Sequence, residues 1–247
     1  MTQAPNPFGG TFGGAGRDQP LEYESRADTM TVSRFFNTVY AWMCVGLALT
    51  AVVGWYVASS GMYQTIYASK GGYVVIALVA FAIAWYAQSQ AGRLSVGVAT
   101  GLFLLYSAII GALLSGIFIV YPARTLVSAL VLTGGTFGAM SVYGFVTKRD
   151  LSRIGSIAVM LAFGFIIASF VNLWLASSAL DWVITYAILV LFIIITAWET
   201  QRLRMIATEL AHSPEMASRY AIMGSLVLYI SFINLFLSIL RILGDRR

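Results

Sequence analysis

The sequence predicts an all-α integral membrane protein with seven transmembrane helices. Of its 247 residues, 59% are hydrophobic and only 10% are charged, whereas about 25% of the residues in a soluble domain are charged. Seven apolar runs follow one another along the chain. Each run is long enough to cross a bilayer, because about 20 apolar residues in a helix match a hydrocarbon core of about 30 Å. We therefore assign residues 34–247 to one membrane domain.

Residues 1–33 differ from this domain in composition. They are polar, rich in glycine and proline, and contain Asp18, Glu22, Glu24 and Asp28. The acids argue against a mitochondrial presequence, and the stretch lacks the apolar run of a cleavable signal peptide. We predict a disordered cytoplasmic tail, because this composition offers too little apolar surface for packing.

The seven apolar segments are separated by short polar or glycine-containing connections. In chain order they are Phe35–Ala58, Gly72–Gln88, Leu94–Val120, Thr125–Val146, Ile154–Ala176, Trp182–Thr200 and Ala221–Leu243. Aromatic residues such as Trp55, Trp85 and Trp174 lie near segment ends, as is typical of the two membrane interfaces.

The distribution of lysine and arginine predicts the orientation. The tail and the connections after the second, fourth and sixth segments carry ten of these residues, and the other side carries five. Basic loops stay in the cytoplasm, so we predict a cytoplasmic N-terminus and an external C-terminus. Three of the five outer charges are Arg241, Arg246 and Arg247. A seventh segment that folds back, with a cytoplasmic C-terminus, therefore remains an alternative at this point.

The seventh segment carries a polar stripe. Ser231, Asn234, Ser238 and Arg241 recur at spacings of three, four and three residues, which places them on one face of a helix. Polar groups facing lipid are costly, so this face should point toward other helices or water. Two interpretations stay open, namely polar contacts that hold helices together and the lining of a pathway.

The fourth segment is rich in small residues. Gly134 and Gly138 form a small-xxx-small pair, and Gly135 lies between them. Small residues allow helix backbones to approach closely in lipid. We predict that these three glycines are sites of tight helix packing.

Glu199 is the acid of greatest interest. It lies at the end of the sixth segment, with Thr196 three residues before it and Arg202 three residues after it, so the three share a helix face. One interpretation is an interfacial ion pair of Glu199 with Arg202, which would contribute little. The other is a partly desolvated carboxylate at the mouth of the bundle, able to titrate and to attract a cation.

The remaining residues give no support for catalysis. The single histidine, His212, excludes an H-E-x-x-H zinc site within this chain, and the single cysteine, Cys44, has no intrachain partner. We expect no enzyme activity, no cofactor and no dedicated metal site. The net charge of +5 comes from residues that flank apolar runs, so we also expect no nucleic-acid partner.

Three stretches resemble the bacterial branch of the Bax inhibitor family, the transmembrane Bax-inhibitor-motif proteins. They are YGFVTKRDLSRIG in the fourth segment, AWETQRL in the sixth and LYISFINLFLSILRILG in the seventh. The resemblance implies a seven-helix fold in a bacterial inner membrane, with the last helix in the centre. It also implies a pH-sensitive leak pathway for calcium or other cations, with Ca²⁺ as the transported ion.

The resemblance also indicates site residues. In relatives, an acid of the sixth helix pairs with an acid of the seventh, and an arginine of the second helix holds the pair. The first acid corresponds to Glu199, whereas the second falls on Ser231, which cannot share a proton with a carboxylate. Arg93 is the nearest arginine. Glu199 would then be the sole titrating group on the path, with Ser231, Asn234 and Tyr229 as its neutral hydrogen-bonding neighbours.

A second function is implied by the same resemblance. Some bacterial relatives look like partners or substrates of the membrane-bound FtsH protease, which engages a cytoplasmic N-terminal tail. A loose tail such as residues 1–33 would suit that role. The other expected partner is the lipid bilayer, and the oligomeric state stays open.

Overall fold

The long apolar runs form helices, because in lipid a helix satisfies its backbone N–H and C=O groups within its own segment. The computed structural model describes residues 19–68 and 70–244, and within these ranges the chain contains helices and no β-strand. The helices are α1 (Gln19–Ser59), α2 (Tyr63–Tyr67), α3 (Lys70–Ser89), α4 (Val96–Leu114), α5 (Ile117–Val120), α6 (Ala123–Val146), α7 (Ser152–Leu175), α8 (Ser178–Glu209) and α9 (Pro214–Leu243).

In the described part of the chain, seven spans are long and apolar enough to cross a membrane. They correspond to the seven predicted segments, so the prediction of an all-α membrane protein is confirmed. The third span, residues 96–120, contains both α4 and α5. The two helices are separated at Gly116, where an added Cβ would lie 3.0 Å from the Tyr67 hydroxyl oxygen. The short helix α2 thus packs where the third span is interrupted.

The last helix, α9, is central. Six consecutive residues, 221–226, are buried, which requires neighbours on every side of the helix. Those neighbours are α1, α4, α6 and α8, with a smaller contact to α3. The remaining spanning helix, α7, which is the fifth span of the chain, packs mainly on α8. The bundle therefore surrounds α9 with five helices and adds α7 as an outer layer, rather than placing all six around it.

The helix α1 begins earlier than predicted. We predicted disorder for residues 1–33, but residues 19–33 are helical, and residues 1–18 lie outside the described part of the chain. Pro20 falls in the first turn, where its missing N–H costs no helical hydrogen bond, and Glu22 lies two residues later. Acids near a helix N-terminus are favourable because of the helix dipole. These local features explain why a polar stretch continues the first transmembrane helix.

The helix α9 is continuous from Pro214 to Leu243. Its 30 residues extend for about 45 Å at about 1.5 Å per residue, which exceeds a hydrocarbon core of about 30 Å. The alternative in which the seventh segment folds back is therefore wrong for these residues. The cytoplasmic position of the N-terminus stays a prediction.

The packing face of α6 is not the one we predicted. An added Cβ at Gly134, Gly135 or Gly138 would meet no atom within 4 Å, so these glycines do not mediate packing in the bundle. The buried residues of α6 are instead Ala129, Thr133, Phe137, Ser141 and Gly144. Their spacing of three or four residues defines one helix face, and the predicted glycines lie beside that face.

The helices α6 and α7 approach α8 closely at two other glycines. An added Cβ at Gly144 of α6 would lie 2.1 Å from the carbonyl oxygen of Ala197 in α8. An added Cβ at Gly155 of α7 would lie 2.1 Å from the Trp198 ring, also in α8. Both contacts hold the same part of α8, immediately before Glu199.

We predict that Gly144→Ala destabilises the protein. Overpacking of this kind costs about 1–3 kcal/mol, and the opposing atom here belongs to the backbone of Ala197, which cannot rotate away. Thermal unfolding in detergent should show a lower midpoint. Gly134→Ala is the matched control on the same helix. It should leave the midpoint unchanged or raise it, because alanine favours helix by up to about 1 kcal/mol.

Equal effects of the two substitutions would contradict this assignment of the packing face.

Candidate functional site

A cleft opens on one end of the bundle. This end, which we call the basic face, carries the connections 90–95, 147–151 and 210–213. The cleft has a volume of about 230 Å³ and lies between the ends of α3 and α8 and the beginning of α9. Its lining residues are Gln88, Ser89, Ala91, Gly92, Glu199, Arg202, Leu203, Ile206, Tyr220, Met223, Gly224 and Val227.

Glu199 is the acid of the cleft. It is 7% exposed, and its Oε2 lies 3.8 Å from Nη1 of Arg202, which is 54% exposed. A separation of 3.8 Å is too long for a hydrogen bond. The Arg202 guanidinium also lies 5.7 Å from the centroid of the Trp198 ring. The carboxylate is thus buried, loosely paired and open to the cleft, which combines the two interpretations that the sequence left open.

The residues around Glu199 attach α8 to its neighbours. Trp198 packs on Gly155 of α7, and the Thr200 hydroxyl lies 3.5 Å from the Ser141 hydroxyl of α6. Because consecutive helical residues point in different directions, these contacts on either side of Glu199 direct its side chain toward α9 and α3. The sequence AWETQRL thus fixes the rotation of α8 about its axis.

Gln201 fixes the connection between α6 and α7. Its Oε1 accepts a hydrogen bond of 2.9 Å from the Leu151 N–H, and its Nε2 donates one of 2.7 Å to the Arg149 carbonyl. Arg204 donates to the carbonyl of Phe145, at the end of α6. The sequence analysis did not identify Gln201, because a glutamine between two charged residues does not by itself indicate a contact between helices. Its position beside Glu199 on a transmembrane helix was the only indication.

Asp150 stabilises the start of α7. The Ser152 hydroxyl and the Ser152 backbone N–H donate to its carboxylate and hold the pKa of that carboxyl below its ordinary value; the backbone bond is 2.9 Å long. A carboxyl with a lowered pKa stabilises the folded state above its unfolded pKa. This contribution is lost as the pH falls through the folded pKa.

The helix α3 contributes a glutamine, and no arginine, to the cleft. Gln88 Nε2 donates a hydrogen bond of 3.1 Å to the Met223 carbonyl of α9. Arg93, the predicted arginine, lies in the turn after α3, and its side chain is exposed. It is not among the lining residues. The ion pair of Glu199 is formed by Arg202 of its own helix.

The polar stripe of α9 continues inward from the cleft. Val227 lines the cleft, and Ser231, which is buried, follows one turn later. Asn234 donates to the Ile230 carbonyl at 2.8 Å, and Ser238 donates to the Asn234 carbonyl at 2.9 Å. Both bonds stay within α9. Asn234 and Ser238 therefore use these donors on their own helix and not as contacts between helices.

Tyr229 points away from this stripe. Its hydroxyl lies 2.5 Å from the Thr50 hydroxyl of α1, and Phe103 and Tyr106 of α4 pack edge-on against its ring. The Thr50 hydroxyl also donates toward the carbonyl oxygens of Gly46 and Ser107, each at 2.9 Å. Tyr229 therefore makes its hydrogen bond on the side of α9 that faces α1 and α4, and not with Glu199 as predicted.

The comparisons with known proteins agree with this architecture. The family described as "Inhibitor of apoptosis-promoting Bax1" matches residues 32–247. The chain belongs to this family. The resemblance to Bax inhibitor proteins that the motifs indicated is thus confirmed over all seven spans.

Bacterial members of the Bax inhibitor family are similar over most of their length. The inner membrane protein YbhL of Escherichia coli is 45% identical over 217 residues, which cover 86% of this chain and 92% of YbhL. A protein of Deinococcus radiodurans is 39% identical over 87% of this chain and 92% of its own. A protein of Borreliella burgdorferi is 35% identical over 91% of this chain and 97% of its own.

We predict that Gln201→Ala weakens the hold of α8 on the connection 147–151. The substitution leaves the Leu151 N–H and the Arg149 carbonyl without their present partner, and an unsatisfied, partly buried polar group costs about 1–3 kcal/mol. The thermal unfolding midpoint should fall. Gln64→Ala, at an exposed position outside the long helices, is the control and should have no effect.

An unchanged midpoint in Gln201→Ala would show that solvent satisfies these two groups equally well.

Proposed function

We propose that this Bax inhibitor family protein is a pH-dependent leak pathway for cations, with Ca²⁺ among them. The observation that supports it best is Glu199, a buried carboxylate whose nearest positive charge is 3.8 Å away and which opens to a cleft. A buried acid in a membrane domain is costly unless it is paired or functional. Its loose pairing leaves it free to attract a cation from the basic face.

The route inward follows the boundary between α3 and α8 on one side of α9, which we call the seam. The helices α3 and α8 both line the cleft, but they have hardly any direct contact, because α3 packs mainly on α4. The stripe of Ser231, Asn234 and Ser238 continues on the α9 face that borders the cleft. The donors of Asn234 and Ser238 are used within α9, which leaves the oxygen atoms of these two side chains for a passing ion.

The chemistry of the cleft favours passage over tight binding. Ca²⁺ takes six to eight oxygen ligands and prefers several carboxylates. Within residues 19–68 and 70–244, no group of three or more His, Cys, Asp or Glu side chains is placed to hold a metal ion. Glu199 with the neutral oxygens of Gln88 and Tyr220 would bind a cation weakly, as a leak requires.

The basic face is the side that we propose to be cytoplasmic, by the distribution of lysine and arginine. Ions would then reach Glu199 from the cytoplasm. Partnership with the FtsH protease rests on the N-terminal stretch, of which residues 1–18 lie outside the described structure. That function stays a prediction and becomes the better explanation if the protein passes no ion.

We predict that Glu199 controls the pH dependence of the flux. A carboxylate attracts cations and a carboxylic acid does not, so Ca²⁺ flux into dye-loaded liposomes should rise as the pH on the basic face rises. The Glu199→Gln variant, which mimics the protonated state, should show low flux with no such rise. His212→Gln is the control, because His212 is an exposed residue on the same face and does not line the cleft.

The assignment is wrong if Glu199→Gln keeps the native pH profile, or if His212→Gln abolishes it.

We also predict that Ser231→Asp restores a coupled pair of acids. Ser231 lies one turn beyond Val227 on the face that continues from the cleft, and two nearby carboxylates share a proton and titrate as a unit. The pH response of the flux should become steeper than in the native protein. Ser231→Asn has a similar side-chain size without the charge and should not steepen it.

Equal steepness in these two variants would mean that position 231 does not communicate with Glu199.

A further inference from the structure

An ion pair lies at the end of the stripe opposite the cleft. Arg241, in the last turn of α9, places its Nη1 3.0 Å from Oδ1 of Asp181, in the first turn of α8. The two side chains are 47% and 41% exposed. The pair therefore joins α8 and α9 at the end of the bundle that carries α2 and the connections 121–122 and 176–177, which we call the opposite face.

Arg241 belongs to the same line of residues as the cleft. Starting from Val227 in the cleft, Ser231, Asn234, Ser238 and Arg241 follow at spacings of four, three, four and three residues. This spacing keeps them on one side of α9. The helix α8 accompanies that side throughout, with Glu199 at one end and Asp181 at the other. The seam therefore runs from the cleft to the Asp181–Arg241 pair.

The helix α3 reaches the same point. Tyr73, near the start of α3, lies close enough to Arg241 for an electrostatic interaction. The Tyr73 ring stacks on Tyr67 at a centroid distance of 5.5 Å, and the Tyr67 hydroxyl donates to the Leu113 carbonyl of α4. Three helices that border the seam, α3, α8 and α9, thus meet around the Arg241 guanidinium.

We propose that the Asp181–Arg241 ion pair closes the seam at the opposite face and limits passage along it. The pathway itself rests on the proposed function, whereas the closure is a separate property of these two side chains. A half-exposed ion pair is weak and sensitive to salt. Little free energy is therefore needed to break it, which suits a closure that must open each time an ion passes.

The first experiment measures flux. Asp181→Asn and Arg241→Gln should each raise the rate of Ca²⁺ flux about two- to fivefold, the factor that corresponds to an exposed ion pair. The exchanged double variant, Asp181→Arg with Arg241→Asp, should return the rate toward the native value. A simple charge barrier predicts otherwise, because removal of the aspartate would then lower cation flux while removal of the arginine raised it.

The second experiment does not depend on flux. In a Cys44→Ser background, Ser238→Cys places a thiol on the stripe one turn from Arg241, and a cationic, membrane-impermeant thiol reagent reports its accessibility in nanodiscs. Both neutralising substitutions should accelerate labelling, and the exchange should slow it again. Glu215→Gln, which breaks the Arg219–Glu215 ion pair of α9 at the basic face, should leave the labelling rate unchanged.

The outcomes separate the two proposals. Faster labelling in a protein that passes no ion would retain the closure and remove the leak function. Unchanged labelling in either Asp181→Asn or Arg241→Gln, or an exchange that fails to reverse the effect, would overturn the closure. If one of the two single variants unfolds at a lower temperature than the native protein, the labelling rate of the other variant tests the closure, because each substitution alone breaks the same ion pair.

Discussion

The approach of α6 and α7 to α8 at Gly144 and Gly155 is the constraint on which the candidate site depends. At both glycines a side chain would collide with the stretch Ala197–Trp198. Lipid gives helices no hydrophobic reason to associate, so such close backbone contacts supply the packing energy. They fix α8 in depth and rotation immediately before Glu199. Because α6 and α7 occupy two sides of α8, the Glu199 carboxylate points toward α9 and α3.

The position of α9 follows from the same packing. It contacts α1, α4, α6 and α8, and its face toward α1 and α4 is occupied by Tyr229 with Thr50, Phe103 and Tyr106. This tightly packed side leaves the stripe to face the loosely contacted seam between α3 and α8. A helix that is buried all round thus has one rigid side and one side that can open, which is the asymmetry that a gated pathway needs.

The fold was predictable because a membrane-spanning helix requires an apolar run of sufficient length, and such runs are visible in the sequence. The motifs of the fourth, sixth and seventh segments indicated the family. The residues at which helices pack against each other were harder to predict from the sequence. Gly134 and Gly138 matched a known spacing, yet Gly144, with no small partner four residues away, makes the contact. The orientation of Tyr229 was also mispredicted. Tyr229 lies only two residues from Ser231 in sequence, but this spacing places the two side chains on different faces of α9. Glu199 was found because an acid beside an apolar run is rare.

The hydrogen bonds of Asn234 and Ser238 bear on the two interpretations of the stripe. Polar residues that hold helices together must donate or accept across a helix interface. Thr50 does so, since it joins α1 to Tyr229 of α9 and to the Ser107 carbonyl of α4. Asn234 and Ser238 donate instead to carbonyls of their own helix. Asn234 and Ser238 thus use these donors within α9, whereas Arg241 at the end of the stripe joins α9 to Asp181 of α8. The internal bonds of Asn234 and Ser238 support the pathway that we propose for this face.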